Sequence, residues 1–374
     1  MGSGSVLHSA RSFAQEVVTP SAADWEKSRC LPGEILQIAA ERGLTGLLVP
    51  RAHGGQESSY RESAEAAEAL AMADMAVTFC LIVHNNVMLS LASRGSDDQI
   101  ARFMPGLMSM ETPAAFLLTE PGAGSDAAAI STAAVPDGGD WIINGDKAWV
   151  TNAVHARLLS VYAQTEPALG WRGIACFLVD AQSAGVAVEP AYDLLGGHAL
   201  GTAGVRLRDV RVPAANMLAP PGEGFKAAMS GIDFARGIVT AMCCGMLKCA
   251  LDTAIAYARE RQLFGHTLAS MQGVQWQLAD VATDLHAARL MMLHVMDSLD
   301  AGKKATLAAS HAKKFATRVA LSGIGQCMQN MGANGLKSDA PLGRHLAGAK
   351  IAQYLDGATE IQNVVISREL FGDS

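Results

Sequence analysis

The 374-residue sequence predicts an α+β protein built from three consecutive blocks: an α-helical domain over 6–111, a compact antiparallel β domain over 112–219 and a four-helix bundle domain over 220–374. Three observations predict it. Apolar residues recur at three- and four-residue spacing in the first and last thirds, which is a helical period. The middle third breaks into short β-type runs separated by turn residues. Half of all residues are apolar and only 17% are charged, so a chain of this length has ample material for a large buried core.

In the first block, "EILQIAAERGL", "RESAEAAEALAMADMAV" and "DDQIARFMPGLM" carry the helical spacing between turns that contain Gly or Pro. The "GSGS" at Gly2 to Ser5 reads as a flexible end. In the second block, "AAFLLTE", "DWIINGDKAWVTN", "RLLSVYAQ", "GIACFLVD" and "AGVRLRDVRV" are too short and too evenly spaced for helices, and Asn144-Gly145 is a hairpin-turn signal. After the loop "PPGEGF", helices are expected over about 225–262, 270–299, 303–331 and 346–370, the last with a break near Gly357, packed up and down.

Composition also excludes functions. A net charge of −7 and no run of five or more Lys/Arg leave no electrostatic footprint for nucleic acid or an anionic membrane. No uninterrupted apolar stretch reaches the length of a membrane span, and residues 1–13 lack the apolar centre of a signal peptide. Seven cysteines, without a C-x-x-C pair, fit a reducing cytoplasm rather than a disulfide framework or a zinc site, so no metal is expected. Dinucleotide-fold and P-loop glycine signatures, H-E-x-x-H and G-x-S-x-G are all missing.

Four segments have chemical potential, each with an ordinary reading beside it. "FLLTEPGAGSD" (116–126) is a glycine-rich loop with the hydroxyls of Thr119 and Ser125, or a surface turn. "WVTN" (149–152) sets an aromatic face beside a hydroxyl, or belongs to the core. "ARERQLFG" (258–265) presents the Arg261 guanidinium to a phosphate, or merely ends a helix at Gly265. "QNMGANG" (329–335) is a close-approach loop or a helix stop. Near the C-terminus, Asp356 in "AQYLDGATEIQ" is a catalytic acid or half of an ordinary Asp-Gly turn.

In this order and spacing, "LLTEPGAGSD", "NGDKAWVTN", "VRVPAANMLAPPGEGF", "RERQLFGHTLASMQGVQWQLADV" and "YLDGATEIQ" make the chain from about Val6 to Leu370 resemble the acyl-CoA dehydrogenase family of FAD flavoproteins. The resemblance implies that family's fold and chemistry: a carboxylate removes the proton next to the carbonyl of an acyl thioester, and flavin N5 takes hydride from the following carbon. It implies that Phe116, Leu118, Thr119 and Ser125 line the flavin and the start of the acyl site, and that Trp149 and Thr151 wall the ring. Arg261, Phe264, Gln272, Gln329 and Gly332 would hold the pyrophosphate and adenine end, partly from a neighbouring subunit of a homotetramer or homodimer. Ala358 and Glu360 fall on the family's cofactor-side positions after the base. Ser125, Asp233, Arg236 and Gly357 fall on the substrate side, Asp233 and Arg236 being equally readable as a local i, i+3 ion pair.

The family's base is usually Glu followed by Gly, where this chain has Asp356 and Gly357; some members carry the Glu where this chain has Ala235. Asp356 is one methylene shorter, which withdraws its oxygens by roughly 1–1.5 Å. Three outcomes stay open: Asp356 is the base and the acyl group is α-branched or cyclic, another group moves the proton, or the chain binds thioesters without oxidising them efficiently. The family's Arg-Asp-Ala segment before the base is "AGAK" here, Ala347 to Lys350, and Ala358 stands where Thr is usual, with Thr359 next to it. The thioester oxygen would be polarised by a flavin ribityl hydroxyl and the Asp356 amide. Substrate size is expected to depend on 78–89 and 241–247, with Phe79 and Leu81 in an apolar pocket, Asn85 and Asn86 facing elsewhere and His84 a packing residue. The expected partners are acyl-CoA or acyl carrier protein thioester and an electron-transfer flavoprotein. The rival readings are an oxidase or monooxygenase of the same fold and a flavin-binding scaffold.

Overall fold

Helix signals place the first block, and the computed structural model describes residues 4–372. Among the described residues six α-helices form it: α1 (Gly4–Phe13), α2 (Thr19–Ser28), α3 (Gly33–Glu41), α4 (Tyr60–Ala71), α5 (Met75–Arg94) and α6 (Asp97–Met108). Ser59 with Glu62, and Ser96 with Gln99, close capping boxes at the starts of α4 and α6. The single apolar pattern over 61–77 is in fact two helices, because Asp74 accepts from the Val77 amide and starts α5 afresh. Of the stretch read as a flexible end, residues 4 and 5 open α1 and the first two lie outside the described residues.

The middle block holds β1 (Ala114–Leu117), β2 (Ala133–Asp137), β3 (Asp140–Val150), β4 (Leu158–Gln164), β5 (Ile174–Asp180), β6 (Val186–Val188), β7 (Ala203–Pro213) and β8 (Met217–Ala219). They form one sheet in the order β6-β7-β3-β2-β4-β5-β8, with β1 added against β4. The expectation of a purely antiparallel sheet is corrected here: β1 runs parallel to β4, and β2 meets β4 in parallel at Ala133 and Gln164. The chain between β1 and β4 is long enough to cross over and return in the same direction, which a tight hairpin could not do.

Asn144-Gly145 is likewise not a turn. It sits inside β3 at a register shift against β7, where Asn144 bonds Asp209 across the strands and a Cβ on Gly145 would collide with Thr132. The hairpin between β2 and β3 turns instead at Gly138 and Gly139, both with positive φ (61° and 92°). Gly145→Ala is therefore expected to destabilise the protein by about 1–3 kcal/mol through overpacking, measured by urea unfolding.

The last block contains α7 (Gly224–Ser230), α8 (Ile232–Glu260), α9 (Gln272–Asp300), α10 (Thr306–Met331), α11 (Leu342–Ala352) and α12 (Thr359–Phe371). The first expected helix is divided at Gly231 and the last is divided over 353–358, so four predicted helices are six. α8 and α10 run side by side in the same direction: Thr306 bonds Asp233 at one end, and Asn334, just past α10, bonds the Tyr257 hydroxyl at the other. α9 runs back between those ends, with Val295 and Met296 against Gly237. One apolar core runs through the first and last blocks. The helices spanning 75–94 and 224–260 are long and apolar enough to cross a membrane by length and composition, yet most of each is buried in this core.

Candidate active site

The helix that should have continued from α11 stops because the chain enters two successive left-handed residues, Asp356 (φ 49°) and Gly357 (φ 91°). Only glycine adopts that region freely, so Asp356 is held there by its surroundings. Arg236 Nε, from α8, donates to the Asp356 carbonyl at 3.4 Å. Lys313 Nζ, from α10, donates to the carbonyls of Gly357 (2.7 Å) and Gln353 (3.3 Å), and Gln362 Nε2, from α12, donates to those of Gly357 (2.9 Å) and Ala358 (3.4 Å). Asp356 itself is half-buried. Burial raises its pKa, opposed by the nearby Lys313 and Arg236 charges, and the net direction is upward. Burial also pushes Lys313 down to about 8 against the pull of Asp356. Among the described residues the Asp356 amide has no acceptor of its own.

The Asp233–Arg236 pair exists, but at 3.9 Å it is long, and both residues have stronger engagements. Asp233 Oδ2 accepts from Thr306 Oγ1 at 2.7 Å while its Oδ1 is buried without a hydrogen-bond partner, and Arg236 Nη1 reaches Ser310 at 3.4 Å. Glu360 is exposed in the first turn of α12, and Ala358 is that helix's N-cap.

A second set of groups lies around the end of β3. Trp149 stands in the left-handed region (φ 57°) with 62% of its surface exposed, its ring edge-on to Tyr192 at 4.8 Å. The chain from Tyr192 to Gly197 packs on α11: a Cβ on Gly196 would meet that of Ala347 at 2.7 Å, and one on Gly197 would meet Ile351 at 2.8 Å. Ala347 in place of a bulky residue is thus part of how the sheet approaches the helix that ends at Asp356. Thr151 is buried, and its hydroxyl makes no hydrogen bond within the described residues. Ser125, Gly122 and Gly124 are exposed on the glycine-rich loop, and a Cβ on either glycine would meet nothing. Leu118 sends its side chain into the core and Phe116 packs against Tyr162 at 4.9 Å, so of these two only backbone or a ring edge is presented outward.

The glycine-rich loop is anchored by a buried ion pair to which sequence reasoning gave no role. Lys147 Nζ donates to Glu120 Oε1 (2.9 Å) and the Leu118 carbonyl (3.0 Å), while Glu120 also accepts from Ser131 and Thr132. Burial alone would raise the Glu120 pKa, but Lys147 and these donors bring it down to about 2. Lys313 was missed too. Its signal is a lone lysine on the face carrying Ala309, Ala312, Ala316 and Ala320, where every neighbour is buried.

Arg261, Phe264, Gln272, Gln329 and Gly332 gather at the opposite end, around the C-termini of α8 and α10 and the small hairpin of β9 (Gln262–Leu263) and β10 (His266–Thr267), and all five are exposed. Arg236 and Arg261 are separated by most of α8, roughly 37 Å at about 1.5 Å per residue. Phe79 and Leu81 are core residues, whereas Asn85 and Asn86, expected to face away from the substrate region, border a small cavity with Leu47, Leu48, Ser63, Ile82 and Phe234. His84 is a packing residue: one ring nitrogen contacts the Leu107 carbonyl, the other accepts from the Ala114 amide, and burial lowers it to about 4.

A carboxylate held on a left-handed turn, with an exposed tryptophan and an unspent hydroxyl at the end of β3, is a set of groups suited to a proton-abstracting oxidoreductase. Models described as the N-terminal, middle and C-terminal domains of acyl-CoA dehydrogenase match residues 5–111, 115–210 and 222–371, and the chain belongs to the acyl-CoA dehydrogenase family. It is 33% identical over 362 residues to the mitochondrial isobutyryl-CoA dehydrogenase of Dictyostelium discoideum, covering 96% of this chain and 87% of that one. Its fold matches butyryl-CoA dehydrogenase from Megasphaera elsdenii with a TM-score of 0.95 and 29% identity, over 98% and 97% of the two chains. A prolyl acyl carrier protein oxidase matches with a TM-score of 0.93 and 27% identity, over 99% and 98%.

Proposed function

We propose that this chain is an FAD-dependent acyl thioester dehydrogenase in which Asp356 removes the proton next to the thioester carbonyl. The observation that carries the reading is the Asp356 turn: a half-buried carboxylate with a raised pKa on a backbone turn whose carbonyls are held by Arg236, Lys313 and Gln362. Bound FAD supplies the hydride acceptor. The residues present fit a flat ring: Trp149 is held out of its usual core position, the Thr151 hydroxyl is free to bond it, and the loop carrying Ser125 can approach closely because no side chain crowds Gly122 or Gly124. A base with a raised pKa is better matched to a weakly acidic proton than an ordinary aspartate. The unspent Asp356 amide is suited to polarise the thioester oxygen, where charge develops.

The short side chain favours an acyl group that brings its proton towards the base, as α-branched or cyclic groups do; the isobutyryl-CoA dehydrogenase relative supports a branched substrate. Asp356→Glu is expected to shift preference towards straight chains, measured as the ratio of flavin reduction rates for butyryl- and isobutyryl-CoA. A carrier-protein thioester is the second reading, favoured by the similarity to the prolyl carrier-protein oxidase. The placement of Arg261 at the far end of α8 from Arg236 supports a second copy completing each cofactor site in a homodimer or homotetramer. Electron-transfer flavoprotein is the proposed acceptor, and seven free cysteines support a cytoplasmic setting.

A visible spectrum of the purified protein tests FAD binding. Anaerobic addition of straight, branched and cyclic acyl-CoA and carrier-protein thioesters then tests the activity. Bleaching of the flavin band by at least one thioester is expected; no bleaching by any would overturn the dehydrogenase reading, and oxygen consumption without an added acceptor would move it to an oxidase.

A further inference from the structure

We propose that Lys313 is the positioning residue of the proton-abstracting loop: its ammonium clamps the carbonyls of Gln353 and Gly357 and, as the charge partner of Asp356, couples the order of that loop to the ionisation of the carboxylate. This rests on the reading of Asp356 as the base.

The loop between α11 and α12 has little backbone bonding of its own. Past Tyr354, the carbonyls of Asp356, Gly357 and Ala358 receive donors from three side chains on three different helices, and the residue serving both ends of the loop is Lys313, at Gln353 and at Gly357. Its side chain is completely buried, and among the described residues no carboxylate lies within 4 Å of its nitrogen. A buried ammonium must be compensated. The charged and titratable groups facing it are Asp356 on the loop, Arg236 and Cys243 on α8 and Glu360 on α12. Of these, Arg236 is a like charge with its own neighbour in Asp233, Cys243 is held neutral by burial that raises its thiol to about 12, and Glu360 is exposed. That leaves Asp356 as the anion Lys313 answers to.

Protonating Asp356 removes that anion, and removing Lys313 frees the carbonyls of Gln353 and Gly357, which bracket the backbone that aims the carboxylate. A lysine placed only to fill space would show neither dependence. The carboxylate of this chain is one methylene short, so its oxygens depend on the backbone angle at Asp356 more than those of a longer side chain would.

The test uses the full chain with FAD, as wild type, Lys313→Met and Lys313→Gln. Two readouts are taken: the pH dependence of anaerobic flavin reduction by whichever thioester bleaches the wild type, and hydrogen–deuterium exchange of 353–362. Lys313→Met is expected to reduce flavin at least 30-fold more slowly at pH 7, with substrate half-saturation nearly unchanged. Its acidic limb moves to higher pH, because the cation that lowers the Asp356 pKa is gone while Arg236 remains. Exchange in 353–358 rises at least tenfold with α8 and α10 unaltered. Lys313→Gln, which keeps a neutral donor, recovers part of the rate and of the exchange protection but not the limb. A slow variant with an unmoved limb and unchanged loop exchange overturns the proposal. If Lys313→Met does not fold, Lys313→Gln carries the same test through its limb. If no thioester bleaches the wild type, the dehydrogenase reading fails and the exchange measurement alone decides the role of Lys313.

Discussion

Asp356→Ala is expected to leave the FAD spectrum in place and to slow flavin reduction by an acyl thioester by about 10²–10⁴-fold, the usual range for loss of a positioned general base. Stopped-flow bleaching under anaerobic conditions measures it. Asp356→Asn, which keeps the shape and the left-handed tolerance of the turn, should be nearly as slow, separating loss of the charge from loss of the turn. In the wild type the reduction rate should fall on the acidic side with an apparent pKa above that of an ordinary aspartate: burial raises the carboxyl, and only the ionised form accepts the proton. A rate in Asp356→Ala equal to the wild type would pass the role to another group. Among the described residues, none of the carboxylates beside Lys313 and Arg236 is better placed: Asp233 is bonded to Thr306, and Glu360 is exposed.

Lys147→Met should cost about 3–5 kcal/mol of stability, because it leaves the buried Glu120 carboxylate without its cation. Guanidinium unfolding, followed by circular dichroism, gives the value. Glu120→Gln/Lys147→Met should recover part of the loss, since no uncompensated charge remains. The sign with pH follows from Glu120. Its folded pKa lies below the ordinary 4.5, at about 2, so its contribution is present above pH 4.5 and is lost as pH falls from there towards 2. The loop it anchors carries Ser125, so Lys147→Met should also weaken FAD retention. An unfolding midpoint equal to the wild type's would show that the pair contributes nothing net.

Local signals were enough for much of the architecture. The switch from helical spacing to short β-type runs at about residue 112 and the return of long helices after Pro220 are properties of neighbouring residues, as are the capping boxes at Ser59 and Ser96 that the structure shows, and the three-block α+β order follows from the first two. The turn at Asp356-Gly357 was visible as a break in a helical pattern. Where a local signal had two physical outcomes, the sequence was silent or misleading. Asn144-Gly145 is a good turn pair, yet β7 and Thr132 require the glycine for close approach inside a strand. The direction of β1 against β4 depends on a crossover, which no residue pattern in either strand records.

What the sequence determined by itself is therefore the type and order of the elements, and through its motifs the family and the position of the acid. These depend on periods, caps and spacings that a chain carries along its length. Only the tertiary structure decided that Lys313, 43 residues from Asp356, lies under that loop, that Lys147 on β3 neutralises Glu120 in the loop after β1, and that Arg261 stands at the far end of α8 from Arg236. Burial and charge compensation arise between residues distant in sequence, and they exist only once the helices and sheet have packed.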